Sequence, residues 1–243
     1  MVMGKIVIAI PKERRLFKKS CEYFRKIGLI STFMVECVNK NINSKLEFET
    51  NDKEAIFLLV RSRDIPQYVN NGWANIGIST WDYFNEYRLD KSSLNSIYSN
   101  VLLSKDLGFF EKSRLCFAGN SKNKDHYFDL ASNSNKLIIA TEYVNICRNY
   151  FNNRNVNVDI IKISGSLELM PKYAHADAIL DIVESGKTLH NNGLVVYEEL
   201  MKINTNVLVN KKFIKENKNK IFAGMNIADY CDKKIGVFHD YSY

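Results

Sequence analysis

Two short stretches of this 243-residue chain combine residues that bind anions with residues that reverse the backbone. One is Asp181-Ile182-Val183-Glu184-Ser185-Gly186-Lys187-Thr188-Leu189. Gly186 lets the backbone approach a ligand closely, and Ser185 and Thr188 offer hydroxyl donors. The first N–H groups of a helix have no internal partners, and the helix dipole favours negative charge there. A strand that turns through Ser-Gly-Lys-Thr into a helix therefore predicts a phosphate site. The other stretch is Pro11-Lys12-Glu13-Arg14-Arg15-Leu16, directly after an apolar run. Lys12 and Arg15 stand where ligands collect, at the end of an α/β strand. A solvated basic turn is the alternative reading.

Gly186-Lys187-Thr188 spells the end of a Walker A loop, but that motif needs a second glycine five residues earlier. Asp181 occupies that position. A carboxylate there repels a triphosphate, so the Walker reading fails. An ordinary strand–loop–helix crossover remains open on the residues alone.

The elements that would carry these stretches read as α/β. Lys5–Ile10, Ala55–Val60, Ala74–Ile78, Arg114–Ala118, Leu137–Ala140, Val158–Ile163, Ala178–Val183 and Asn206–Asn210 are strand-length apolar runs. Helices are expected from Ser20 to Ile27, from Pro66 to Asn71, from Trp81, from Tyr143 to Phe151, after Ser166, and over Val196–Met201. Asp64 is expected to cap the helix before Pro66, and Pro171 to shorten or kink the helix containing Glu168. Repeated β–α–β units predict open, mostly parallel sheets. The polar stretch after Ala118 marks a crossing into a second lobe. The expected division is 1–100 plus 190–243 for the first lobe and 101–189 for the second.

Composition narrows the function class. Basic residues exceed acidic ones by 34 to 27, a net charge of +7. That excess suits an anionic substrate, and the dispersal of Lys and Arg argues against a nucleic-acid surface. The Lys-rich piece Lys211–Lys220 reads as a solvated helix face. The five cysteines are in no C-x-x-C spacing and have no histidine cluster beside them. Structural zinc and a disulfide framework are not expected, and reduced cytoplasmic thiols are. No run approaches the ~20 apolar residues of a membrane span. His126, His175, His190 and His239 are scattered and receive no role.

Several motifs in order give the chain a family resemblance. They are Pro11-Lys12 with Arg15-Leu16; Arg61-x-Arg63-Asp64-Ile65-Pro66 with Val69, Gly72, Gly77-Ile78 and Asp82; and Leu107-Gly108-Phe109 with Arg114-Leu115. Ala140-Thr141 with Tyr143, Arg148 and Tyr150-Phe151 follow. The most specific piece runs from Gly165-Ser166-Leu167-Glu168 through Ala176–Ile179 to Asp181–Leu189 and Asn192-Gly193-Leu194. Over about residues 5–212 the chain resembles ATP phosphoribosyltransferase in its short form.

The resemblance implies an α/β, two-lobe fold of the type II periplasmic-binding-protein kind, with a central cleft. It implies transfer of the 5-phosphoribosyl group of phosphoribosyl pyrophosphate to N1 of ATP, with Mg²⁺, as the first step of histidine biosynthesis. Ser185, Gly186, Lys187, Thr188 and Leu189 would then hold the 5-phosphate. Asp181 and Glu184 would face the ribose or stabilise positive charge, and Lys12, Arg15 and Arg63 would take the pyrophosphate. Glu168, beside Gly165 and Ser166, would reach ribose or adenine, unless it only caps its helix. The short form implies a separate histidyl-tRNA-synthetase-like regulatory subunit and a homo-oligomer, as a dimer or within a hetero-octamer. No nucleic acid or membrane partner is implied. The tail 213–243 has no assigned role. Arg14, Thr80 and Phe110 stand where glycine is usual, and Asn75 and Ser164 replace Asp and Asn. The glycine losses leave room for a degenerate regulatory paralogue, and the two-lobe architecture for a non-catalytic ligand sensor of the same fold.

Overall fold

The computed structural model describes residues 5–29, 46–50, 55–90, 100–104, 106–110, 112–132, 136–217, 219, 221–222, 225–226 and 231–235. They form two compact units, one of residues 1–84, 92–109 and 204–243, the other of residues 85–91 and 110–203.

The first unit is built on a six-stranded sheet. Its strands are β1 (Ile6–Pro11), β2 (Glu47–Glu49), β3 (Ala55–Val60), β4 (Ile76–Thr80), β5 (Val101–Leu103) and β11 (Thr205–Asn210). Their order is β2-β3-β1-β4-β11-β5, parallel only across β3-β1-β4. Helix α1 (Arg14–Lys26) covers it with the stripe Leu16, Phe17, Ser20, Cys21 and Phe24. This helix begins six residues before the expected Ser20, because Leu16 and Phe17 already belong to the i, i+4, i+8 stripe. Helix α2 (Ile65–Asn70) and α3 (Trp81–Arg88) follow β3 and β4. Gly77 is required by packing: a β-carbon there would lie 2.6 Å from Ile65 and 2.8 Å from Val69. Asp64 occupies the cap position of α2 but makes no capping hydrogen bond, so the expected cap is not formed.

The second unit holds β6 (Arg114–Asn120), β7 (Leu137–Thr141), β8 (Val158–Lys162), β9 (Ala178–Val183) and β10 (Leu194–Lys202), in the order β10-β6-β9-β7-β8. Here parallel pairing covers only β9-β7-β8. Both sheets are therefore mixed, with parallel strands at the functional centre and antiparallel strands completing each sheet. Helices α4 (Lys124–Ser132) and α5 (Val144–Asn152) connect the strands, and α6 (Met170–Tyr173) and α7 (Lys187–Asn191) are single turns. Pro171 sits at the start of α6, after a 3₁₀ turn over Leu167–Leu169, and so divides the expected helix.

The stretch Val196–Met201, expected as helix, is strand. Its ladder to β6 is interrupted between Val196 and Glu198 and again between Glu199 and Met201. Each irregularity shifts the two-residue alternation, so the apolar positions acquire helix-like spacing. This pairing also moves the boundary. Residues 190–203 belong to the second unit because β10 lies on β6, and 101–109 to the first because β5 lies on β11. The Lys-rich piece begins with the expected helix, α8 (Lys211–Asn217). Much of the tail 213–243 lies outside the described residues. The described cysteines, Cys21, Cys116, Cys147 and Cys231, are buried and free, and Cys37 lies outside the described residues. No helix among the described residues is long and apolar enough to cross a membrane.

Candidate active site

In the first unit the site is made by the turns after β1 and β3. These strands are parallel with Pro11 opposite Val60, and the Lys12 N–H extends the ladder to the Val60 carbonyl at 2.9 Å. Lys12 and Arg61 thus leave adjacent strands side by side, at the end of the sheet where ligands gather. Helix α1 opens with Arg14 and Arg15 and has no acidic residue in its first turn. Two cations at the positive end of a thirteen-residue helix oppose its dipole. Such a local conflict is expected at functional sites, and a bound anion would relieve it.

Lys12, Arg14, Arg15, Arg61 and Arg63 are all exposed. Among the described residues, the side chains of Lys12, Arg14 and Arg61 have no ion-pair partner. Arg63 lies 3.8 Å from Asp64, an exposed pair worth little. Arg15 already interacts within the chain. Glu13, the cap residue just before the helix, is taken by Ser62. It accepts the Ser62 N–H at 3.1 Å and the Ser62 hydroxyl at 2.5 Å.

In the second unit the site is made by the loops after β8 and β9. Gly165 (φ 110°) and Ser166 (φ 51°) turn the first loop, and Gly186 (φ 73°) turns the second. Both are anchored on one apolar cluster that includes Leu167, Ile179, Val183, Leu189 and Leu194. Leu189, grouped by sequence with the substrate-binding residues, instead turns its side chain into this core. It holds the loop down from below. Above it, Glu184, Ser185, Lys187 and Thr188 are exposed. The Lys187 N–H reaches Ser185 Oγ at 3.3 Å. Among the described residues no acceptor takes the N–H of Ser185, Gly186 or Thr188. Helix α7 has only five residues, so the anion-binding power of this loop lies in amides converging at the left-handed Gly186 and less in a helix dipole.

Asp181 sits within β9, its carboxylate accepting the Ile182 N–H at 2.7 Å. Burial pushes this carboxyl up to about 6, and the charges of Glu168 and Glu142 push the same way against the hydrogen bond from Ile182. Three acids, Glu142, Glu168 and Asp181, therefore act on one region at the ends of β7, β8 and β9. Glu142, like Arg61 and the Glu13–Ser62 pair, was missed by the sequence reading, which weighed Arg14 only as a substitute for Arg15. The signal available for Arg61 was its place beside Lys12 once β1 and β3 are paired. Glu142 immediately follows the expected strand Leu137–Ala140 and Thr141. The β7 end is tied to β9 through Thr141, whose hydroxyl donates to the Leu180 carbonyl at 2.7 Å and accepts the Tyr143 N–H at 2.9 Å.

A hollow of about 1170 Å³ in the first unit, bordered by Trp73, Asn75 and Asn210, lies at the opposite end of the parallel strands. Its amides serve the fold: Asn75 accepts the Val7 N–H at 2.8 Å, and Asn210 donates to the Val69 carbonyl at 2.7 Å. It is no rival to the turns above.

Exposed cations follow the parallel ladder of the first unit, and amides with carboxylates follow that of the second, both chemistries suited to a phosphorylated ligand. Residues 61–227 match the family model HisG, ATP phosphoribosyltransferase. ATP phosphoribosyltransferases of Bacillus cereus (strain AH820) and Bacillus anthracis (strain A0248) are 37% identical over 229 residues, covering 93% of this chain and 97% of each relative. The structure is similar to the ATP phosphoribosyl transferase (HisG:HisZ) complex from Thermotoga maritima. The TM-score is 0.66 at 26% identity, over 94% of this chain and 96% of that one. The chain belongs to the ATP phosphoribosyltransferase family, transferases of the first step of histidine biosynthesis.

Proposed function

We propose that the residues assembled above transfer the 5-phosphoribosyl group of phosphoribosyl pyrophosphate to N1 of ATP. The amides of Ser185, Gly186 and Thr188, with the Ser185 and Thr188 hydroxyls and Lys187, take the 5-phosphate. Gly165 and Ser166 shape the neighbouring loop. Lys12, Arg14, Arg15, Arg61 and Arg63 take the pyrophosphate. The bond from C1 to the pyrophosphate oxygen breaks and its electron pair leaves with that oxygen. The N1 lone pair of the adenine forms the new bond to C1. Positive charge develops on the ribosyl ring between these events, and Asp181, Glu168 and Glu184 supply the negative field that lowers its energy. Little covalent help is required, so positioning carries the rest of the acceleration.

Among the described residues no cluster of three or more His, Cys, Asp or Glu could hold a metal ion. The donor set does not fit an ion held by the protein alone. Mg²⁺ would instead come with the substrate and help neutralise the charge of the departing pyrophosphate. Because the Thermotoga maritima neighbour is a HisG:HisZ complex, we infer a histidyl-tRNA-synthetase-like regulatory subunit for this chain too, with homo-oligomeric assembly. Free thiols and the nucleotide substrates support a cytoplasmic location.

The observation that carries the reading is the set of cations after β1 and β3, Lys12, Arg14 and Arg61, which have no carboxylate partner among the described residues. Family membership disfavours both the sensor and the degenerate paralogue. An absorbance assay for phosphoribosyl-ATP, from ATP, phosphoribosyl pyrophosphate and Mg²⁺, tests it with and without the regulatory subunit. Product is expected at least in the arm that contains the regulatory subunit. No product in either arm, from folded protein, overturns the proposal.

A further inference from the structure

Glu13 stands amid cations and pairs with none of them. Lys12 and Arg14 flank it in sequence, and Arg61, Arg63 and Asp64 lie on the turn packed against it. A surface carboxylate in such company would be expected to neutralise an arginine. Both of its oxygens are instead directed at Ser62: Oε2 accepts the N–H at 3.1 Å and the hydroxyl at 2.5 Å, and Oε1 lies 3.3 Å from the same N–H. Ser62 is buried, and its carbonyl accepts the hydroxyl of Ser79, on β4, at 3.4 Å. The ends of β1, β3 and β4 are thereby linked through one serine, with Glu13 as the outermost member.

We propose that Glu13 is a positioning residue for the pyrophosphate half of the reaction. It fastens the turn carrying Lys12, Arg14 and Arg15 to the turn carrying Arg61 and Arg63, so that cations from two strands meet one anion in fixed register. The inference rests on the pyrophosphate reading of these turns. Glu13 touches no reacting atom. Its effect is preorganisation: charge-assisted hydrogen bonds to a buried serine hold the loop before the ligand arrives, and the cations then need little reordering.

This role predicts a sign opposite to that of simple electrostatics. Deleting a negative charge beside a cationic site should tighten pyrophosphate binding if charge alone mattered. Deleting a clamp should weaken it. Calorimetric titration of Mg²⁺-pyrophosphate into the full chain, beside steady-state kinetics and a thermal melt, separates the two. Glu13→Ala is expected to weaken pyrophosphate by about tenfold and to lower kcat with the KM for ATP unchanged. Glu13→Gln should recover most of the affinity, because its amide oxygen still accepts from Ser62. Ser62→Ala should weaken binding less than Glu13→Ala, and the double variant should add little to the worse single one. Unchanged or tighter pyrophosphate binding in Glu13→Ala overturns the proposal. If Glu13→Ala does not fold, Glu13→Gln with Ser62→Ala carries the test, and wild-type affinity in both overturns it. If Lys12→Ala and Arg61→Ala also bind pyrophosphate like wild type, the pyrophosphate reading itself fails, a result distinct from failure of the clamp alone.

Discussion

The turns of the first unit and the loop of the second offer a phosphate different physics. Lys12, Arg14 and Arg61 present side-chain charge on exposed stems, on two turns joined by the hydrogen bonds between Glu13 and Ser62. The Ser185–Thr188 loop presents main-chain amides over the anchored Leu189, with Lys187 as its only cation. Side-chain charge reaches far and is screened by salt; converging amides act only at contact and are hardly screened. In the proposed reading a leaving pyrophosphate, whose charge grows as its bond breaks, is served by the first device. A 5-phosphate that must only be gripped is served, in the same reading, by the second. The same contrast appears in what a mutation does. Losing a cation removes charge and leaves the backbone intact, whereas a new side chain at Gly186 distorts the backbone itself.

The largest expected effect tests the charge half of this comparison. Lys12→Ala and Arg14→Ala should each lower kcat/KM by ~10²-fold, the scale of one preorganised electrostatic contact, with melting temperature nearly unmoved. Arg15→Ala should do less, since Arg15 already interacts within the chain. Steady-state kinetics of the three variants decides which arginine meets the pyrophosphate. A large defect confined to Arg15→Ala would assign the role to the second helical position. Arg14→Lys should rescue only in part, because lysine lacks the planar fork.

The amide half is tested at Gly186. A β-carbon there has room, its nearest neighbour being Val183 at 4.0 Å, but the residue holds φ 73°. Gly186→Val should cost about 1–2 kcal/mol of stability through backbone strain and weaken phosphoribosyl pyrophosphate roughly tenfold. Gly186→Asn tolerates the left-handed conformation and isolates the second effect. Calorimetry showing wild-type affinity in the valine variant would remove the 5-phosphate from this loop.

Salt separates the halves more gently. Between about 0.05 and 0.5 M salt, affinity for free pyrophosphate should fall severalfold, and affinity for ribose 5-phosphate clearly less. Equal slopes in paired titrations would mean that both groups are held by long-range charge and that the comparison is wrong.

These contrasts also explain what the sequence disclosed. The amide loop was legible because a contiguous motif carries it: strand, Ser-Gly-Lys-Thr and helix start fall within Ala178–Asn191. The charge half is assembled from turns 49 positions apart, and the pairing of β1 with β3 that makes Arg61 a neighbour of Lys12 is a tertiary fact. Nothing local marks Glu13 as a clamp, since its partner Ser62 lies in another turn. Most strands were found within one or two residues from their apolar runs. Strand β10 was lost because its two register shifts disguise its period. The unit boundary was misplaced by the same error, since β10 carries residues 194–202 into the second sheet.

The smallest expected effect concerns the acids, which set the second unit most clearly apart from the first. Asp181 titrates at about 6, above its ordinary range, chiefly through burial, with Glu168 and Glu142 adding to the shift. A carboxyl with a raised folded-state value favours folding when protonated. Its unfavourable contribution to stability therefore develops as pH rises from the ordinary carboxylate range to about 6 and is complete above that. Asp181→Asn keeps an acceptor for the Ile182 N–H and cannot ionise. At pH 8 it should melt about 2–4 °C higher than wild type, equivalent to roughly 1 kcal/mol for a chain of this size, and the gain should vanish by about pH 4. The price is function, since the neutral amide no longer opposes positive charge on the ribosyl ring, and kcat should fall while stability rises. Wild-type kcat should decline below about pH 6 as Asp181 protonates. In the variant this limb should be weaker or absent. A variant less stable than wild type at pH 8 would show that the carboxylate holds the strand together. A variant with wild-type kcat and an unaltered pH limb would remove Asp181 from the chemistry.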